Sequence, residues 1–378
     1  MLIAVRRENT PGEHRVAAIP STVEAYVAMG CDVVVEPGAG IAAGFPDSQF
    51  EAAGATVSGD IANADIMLIV GPPGPDLLTG LRDGMVVAGF LDPLGNPALI
   101  GTMAERNITA LAVETIPRTT LAQSMDALSS QATAAGYAAV LLAATTTPRF
   151  FPMLVTAAGT VPPARVLILG VGVAGLQAIA TAKRLGASVF AYDIRPETKE
   201  QVESLGARFV EAVTTSQDAG GYARAVDEDV AQQQQEALAA QVADSDIIIT
   251  TAQVPGRKAP RLITADVVAS MKAGSVIVDL AAASGGNVEG SQPDETVVVG
   301  GVTILGPSNL AAGVAADASR MYARNLQTLL QHIIEESEGG PQIAIDLADE
   351  ITAGATVTHD GSVVNGAVRS ALGLEETL

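Results

Sequence analysis

Apolar residues in the first third of the chain fall in short runs separated by stretches of helical periodicity. Residues 2–6 read as a strand and 21–29 as a helix capped by Ser21 and closed by Gly30. A second strand at 32–36 ends at Pro37-Gly38-Ala39-Gly40, and a short helix follows near 48–53. Strand 66–70 is broken by Gly71-Pro72-Pro73-Gly74-Pro75, after which come strand 85–90, helix 97–106 and strand 109–113. Strands separated by helices predict a parallel sheet with helices on its faces.

Residues 121–147 then read as one long helical stretch, ended by Pro148, Pro152, Pro162 and Pro163. A second alternating series follows. Its strands fall at 165–169, 188–192, 247–250, 275–280 and 302–305, and its helices at 198–205, 227–242 and 265–271. Residues 315–334 form another long helix, and 343–364 read as a strand pair turning at His359-Asp360-Gly361-Ser362. The fold class is therefore α/β, with two Rossmann-like domains built on parallel sheets and linked by the long helices. The first domain is discontinuous, residues 1–130 plus 320–378, and the second spans 131–319.

Composition narrows the function. With 48% hydrophobic and 17% charged residues the chain is globular, and without Trp its cores must be filled by Ala, Val, Leu and Ile. A net charge of −21 argues against nucleic acid and against direct attachment to an anionic leaflet. Cys31 is the sole cysteine, so neither an internal disulfide nor a cysteine metal cage can form. The uncharged stretch 127–148 is long enough for a bilayer, but its Ser, Thr, Gln and Gly content favours a buried helix. The N-terminus reads directly as a strand, which makes the cytoplasm the expected location.

The apolar run 165–169 leads into Gly170-Val171-Gly172-Val173-Ala174-Gly175 and then an amphipathic helix. That context gives a weak glycine pattern its meaning: Gly170 for the tight turn, Gly172 for pyrophosphate approach, Gly175 for helix–strand packing. The helix N-terminus, through Val173 and Ala174, offers free N–H groups to phosphates. Asp193 ends the next strand, 18 residues after Gly175, placed to accept hydrogen bonds from the adenosine ribose and to repel a 2′-phosphate. NAD is favoured over NADP. Arg195, beyond Ile194, tempers that exclusion because an arginine could offset the acid.

The chain has only three histidines, His14, His332 and His359, none in a cluster with metal-ligand spacing, and no G-x-S-x-G, P-loop or H-E-x-x-H motif. Reducing a carbonyl needs a proton donor, usually His or Lys. Transfer between two nicotinamide rings needs orientation and excluded water instead.

The segment Pro117-Arg118-Thr119-Thr120-Leu121-Ala122-Gln123-Ser124-Met125-Asp126-Ala127-Leu128-Ser129-Ser130-Gln131 closely resembles the nicotinamide-holding loop of the NAD(H)-binding component of proton-translocating transhydrogenases. Residues 153–186, Pro11-Gly12-Glu13-His14-Arg15-Val16-Ala17 and Ala315-Ala316-Asp317-Ala318-Ser319 are similar to the same family, so the resemblance covers essentially the whole chain. It implies that Arg118 meets the nicotinamide end of the nucleotide and that Gln123 brings the two rings together. Asp126 and Ser129 would fix ring orientation. Tyr222, in Ala219-Gly220-Gly221-Tyr222-Ala223, would lie on a loop that closes over nucleotide. Further implications are a homodimer, a partner β subunit holding NADP(H), membrane-spanning components, and a place peripheral to the inner membrane. The cofactor on this chain would be NAD(H), lying on the second domain with its nicotinamide end toward the first.

Alanine dehydrogenases share the first-domain signature and the glycine motif, but they place a catalytic Lys and His after successive strands. The matching stretches here, Ile69-Val70-Gly71-Pro72-Pro73 and Gly89-Phe90-Leu91-Asp92-Pro93, hold neither. Arg15, a substrate contact in those relatives, is then structural. A stand-alone amino-acid dehydrogenase is the alternative, and a non-catalytic NAD sensor the third reading.

Overall fold

The computed structural model of the protein describes residues 1–211, 238–253 and 256–374. Along the chain the strands are β1 (Leu2–Val5), β2 (Asp32–Val35), β3 (Thr56–Val57), β4 (Ile66–Leu68), β5 (Val86–Gly89) and β6 (Thr109–Ala112). There follow β7 (Leu154–Thr156), β8 (Gly159–Val161), β9 (Arg165–Leu169), β10 (Ser188–Tyr192), β11 (Arg208–Phe209), β12 (Ile247–Thr250) and β13 (Val276–Asp279). The series closes with β14 (Thr296–Val299), β15 (Val302–Leu305), β16 (Ile334–Ser337), β17 (Gly340–Ile343), β18 (Thr356–His359) and β19 (Ser362–Val363).

Two compact units result, one from Met1–Gln131 with Ala311–Leu378 and one from Ala132–Leu310. The first holds an eight-stranded sheet ordered β19-β18-β6-β5-β4-β1-β2-β3, parallel except for β18 and β19. The second holds a seven-stranded sheet ordered β11-β10-β9-β12-β13-β15-β14, parallel except for β14. In each, the chain winds outward through three strands, returns to the starting strand's other side and winds the opposite way.

The strand sequences explain why both sheets are covered on both faces. Side chains alternate across a strand. Ile3, Val5, Ile66, Leu68 and Val86 accordingly fall in one core of the first unit and Ala4, Met67 and Val87 in the other. In the second unit Val166, Ile168, Ile247 and Ile249 face one layer, and Leu167, Leu169 and Ile248 the opposite one. Continuous β-branched runs such as Val33-Val34-Val35 are what a strand buried on both faces requires.

Several expected boundaries move for local reasons. The helix Pro20–Ala28 starts at Pro20, whose fixed φ suits the first helical position, and Ser21 is not its cap. The long helix runs Ala127–Thr146 and not from 121, because 121–126 make a loop and the 3₁₀ turn Gln123–Met125. The short helix Pro75–Gly80 and the antiparallel strand β14 were not expected from the pattern. In the tail the strand pair is confined to β18 and β19. Upstream of it lie the β16–β17 hairpin and the helix Glu350–Ala355. Of the helix expected at 227–242, residues 238–244 are helical and the remainder lies outside the described residues.

Of the two long helices, only the first crosses the division between units. The second, Ala315–Ile333, lies wholly in the first unit, so the expected boundary at 319/320 falls inside it. Ala127–Thr146 is also the one helix among the described residues long and apolar enough to cross a membrane. Its Ala139, Val140 and Ala143 are buried in the core of the second unit, which accounts for its apolarity without a bilayer.

Candidate functional site

The glycine turn leaves the C-terminal end of β9, with β10 on one side and β12 on the other. This is the point where the winding of the sheet reverses, the place in an open α/β sheet where a crevice forms. Gly170 has φ +96°, and a Cβ there would meet Thr251 Oγ1 at 2.7 Å. A Cβ on Gly175 would lie 2.0 Å from the Gly170 carbonyl oxygen, so this glycine holds the helix against the turn. Gly172 differs: its backbone is ordinary and a Cβ would meet nothing within 4 Å. Nothing among the described residues demands glycine at 172; a ligand backed against the peptide would.

Gly172 is also the N-cap of the helix Val173–Arg184, and no side chain among the described residues caps it. The first-turn amides are left for an acceptor, and the helix dipole favours an anion there. Lys183 and Arg184 in the last turn complement the other pole.

Asp193 follows β10 directly and reaches back to the turn. Its Oδ2 accepts the Val171 N–H at 2.7 Å. Arg195 grips it as a fork, Nε to Oδ1 at 2.9 Å and Nη2 to Oδ2 at 2.9 Å. Burial alone would raise this carboxyl, but the Arg195 and Val171 hydrogen bonds outweigh it and hold Asp193 below the usual carboxylate range. Ile194 projects outward, 83% exposed. The structure thus brings together Gly170, Gly172, Val173, Ala174, Gly175, Asp193 and Arg195. Tyr222 lies outside the described residues.

Further residues shape this site without having stood out in the sequence. Thr251 Oγ1 donates to the Gly170 carbonyl at 2.9 Å. Asp279, fully buried at the end of β13, accepts from Thr250 Oγ1, Ala281 N and Val288 N. Asn287 bridges Ala252 and Pro260. A Cβ on Gly136 would sit 2.1 Å from the Ala174 carbonyl oxygen, so the Ala127–Thr146 helix lies tight against the first turn of the phosphate helix. A hydroxyl two residues past a strand was the one available signal, and it is a faint one.

The other predicted residues belong to the first unit. Arg118 and Gln123 are exposed, and no hydrogen bond from the described residues ties their side chains. The buried Ala122 and Met125 anchor the loop, and Asn325 Nδ2 donates to the Ser124 carbonyl at 2.8 Å. Asp126 and Ser129 bond each other. Asp126 Oδ1 accepts the Ser129 N–H at 2.8 Å and Oδ2 the Ser129 hydroxyl at 2.6 Å, the geometry of a helix N-cap. A cavity of about 460 Å³ opens beside them, lined by Ser124, Ser130, Arg324, Asn325, Gln327 and Thr328, with Met321.

The strand ends of the first unit offer neither Lys nor His. Phe90 stacks on Tyr322 at 5.3 Å, and the Tyr322 hydroxyl donates to the Ile69 carbonyl at 2.8 Å. Glu8 accepts the Val70 N–H, and Glu114 accepts those of Leu91 and Asp92. Burial pushes both carboxyls up. Arg15 is forked by Glu13 and donates to Gln131 Oε1 at 2.8 Å, as a structural tie would. His14 is exposed, and His332 and His359 bond Asp349 and Thr109.

Comparison with known proteins now has a geometry to meet. The family model for the alanine dehydrogenase/PNT C-terminal domain matches residues 139–366, and that for the N-terminal domain matches 4–135. An NAD(P) transhydrogenase subunit alpha chain of Rhodospirillum rubrum is 47% identical, over 97% of this chain and 99% of its own. The crystal structure of transhydrogenase from Sinorhizobium meliloti superposes with a TM-score of 0.85 at 44% identity, covering 97% of this chain and 100% of that one. An alanine dehydrogenase of Halomonas elongata is more distant, 33% identical over 99% of this chain and 98% of its own.

Proposed function

The chain belongs to the alanine dehydrogenase/PNT family, and from that premise we propose that it is the NAD(H)-binding subunit of a proton-translocating transhydrogenase. The observation that carries the reading is the open side of the glycine turn, where Gly172 is glycine with no reason inside the described protein. The residues present fit a dinucleotide. The uncapped amides of Val173 and Ala174 would hold the pyrophosphate, and Asp193 the adenosine ribose. When bound, NADH supplies the hydride that passes to NADP⁺ on a partner subunit.

This chain's role is binding and orientation. Arg118 and Gln123 have exposed polar heads for the nicotinamide end and for the partner's nucleotide, and the Asp126–Ser129 pair fixes the loop that carries them. Orientation of two rings without a protein acid or base is the chemistry such a site can serve. The alanine dehydrogenase alternative is disfavoured by Val70 and Phe90, which stand in the stretches where its Lys and His would be.

A homodimer is included in the proposal. The β7–β8 hairpin exposes Val155 at 74% and Met153 at 60%, an apolar surface that a copy would cover against the mutual repulsion of two −21 chains. Proton movement would belong to membrane-spanning partners, with this subunit cytoplasmic and peripheral to the inner membrane. The test is hydride transfer from NADH to an NADP⁺ analogue of shifted absorbance, with the NADP(H)-binding partner added. Transfer that needs both proteins and falls steeply for Gln123→Asn is expected. NADH binding without transfer to a competent partner would overturn the assignment.

A further inference from the structure

Asp193 is where an adenosine ribose would find its acceptor, and the carboxylate is already saturated. Oδ1 accepts the Arg195 backbone N–H at 2.9 Å and Arg195 Nε at 2.9 Å. Oδ2 accepts the Val171 N–H at 2.7 Å and Arg195 Nη2 at 2.9 Å. Two carboxylate oxygens offer about four lone-pair positions, and all are in use. A ribose diol must therefore replace a donor already there.

The two kinds of donor are not equally replaceable. Val171 is 2% exposed and its N–H is fixed by the glycine turn. The Arg195 side chain is 51% exposed against 7% for Asp193, and beyond the fork it makes one contact among the described residues, Nη2 to the Val171 carbonyl at 3.2 Å. The guanidinium is the group that can leave.

We propose that Arg195 sets nucleotide selectivity by competing with the adenosine ribose for Asp193. A 2′,3′-diol displaces the guanidinium, whereas a 2′-phosphate draws the freed guanidinium to itself. The idea rests on the second unit being the NAD(H) site. Its effects have opposite signs for the two nucleotides. The latch lowers affinity for NADH, because a charge-assisted fork must open, and raises affinity for NADPH, because the freed cation offsets the repulsion by Asp193. Half-exposure of the arginine screens the fork, so each effect is a few-fold.

The test is equilibrium binding of NADH and NADPH, followed by nicotinamide fluorescence, to the full chain and to Arg195→Ala and Arg195→Lys. The alanine variant should bind NADH about threefold more tightly and NADPH about threefold more weakly, widening the preference roughly tenfold. Lysine keeps a cation and loses the fork, so that variant should match alanine for NADH and wild type for NADPH. Thermal unfolding of the nucleotide-free alanine variant should come at a slightly lower temperature even as NADH binds better. A ratio of affinities unchanged within twofold, or equal weakening of both nucleotides, overturns the competition. A wild-type chain that binds no NADH would overturn both this and the underlying assignment.

Discussion

Gly172 and Gly175 are three residues apart and answer to different masters. A methyl at 175 collides with the Gly170 carbonyl oxygen, so Gly175→Ala should destabilise the protein by about 1–3 kcal/mol in urea denaturation. A methyl at 172 meets empty space on a backbone that any residue can adopt, so Gly172→Ala should leave stability unchanged or slightly raised. Its cost should fall on binding instead, an NADH affinity lower by about tenfold or more in a fluorescence titration. Equal stability losses for the two variants would remove the argument for a ligand at the turn. Residues of this kind were legible in the sequence because turn, helix and following acid lie close together in the chain. Thr251, Asp279 and Asn287 were not, because strands far apart in sequence bring them to the turn.

At the scale of elements, the Asp126–Ser129 contact joins a structural role to the proposed one. Asp126→Ala removes the cap and should cost about 1 kcal/mol. Asp126→Asn keeps a capping oxygen, so its stability should stay near wild type while hydride transfer to the partner falls. If the asparagine variant transfers normally, Asp126 is a cap and nothing more. The helix Glu350–Ala355 has a cap of the same kind in Asp349, held at about 2 by hydrogen bonds from His332 and then from Thr352. A depressed carboxyl contributes stability above its unfolded value, near 3.9, and loses it as pH falls toward the folded one. The deficit in melting temperature of Asp349→Ala should therefore be full at pH 6 and fade between about pH 4 and 2. The long central strands and helices were readable from periodicity, since both their faces are buried. Capped starts were misplaced by a few residues. Asp126 looks in sequence like one more polar residue of a helix, and only its bond to Ser129 shows that the helix begins after it.

Across the whole molecule, each unit has its own pair of cores, and the proposed nucleotide site lies at the strand ends of the second. NADH should accordingly slow hydrogen exchange most at the ends of β9, β10 and β12, read by mass spectrometry. Protection absent from those segments would place the nucleotide elsewhere. The discontinuity of the first unit was foreseeable from where the alternating pattern stops and resumes, although the second crossing falls at Leu310 and not inside the long helix. That discontinuity has a consequence in time. Thr356 pairs with Leu111, so β6 stays an open sheet edge until nearly the whole chain has left the ribosome. The second unit is complete by residue 310 and can close while the first still waits for its last strands. Vectorial synthesis thus makes the earliest-translated half of the protein the last to mature. A nascent chain stalled after residue 310 should shield its later portion from protease and leave strands β1 to β6 to be cut or held by a chaperone.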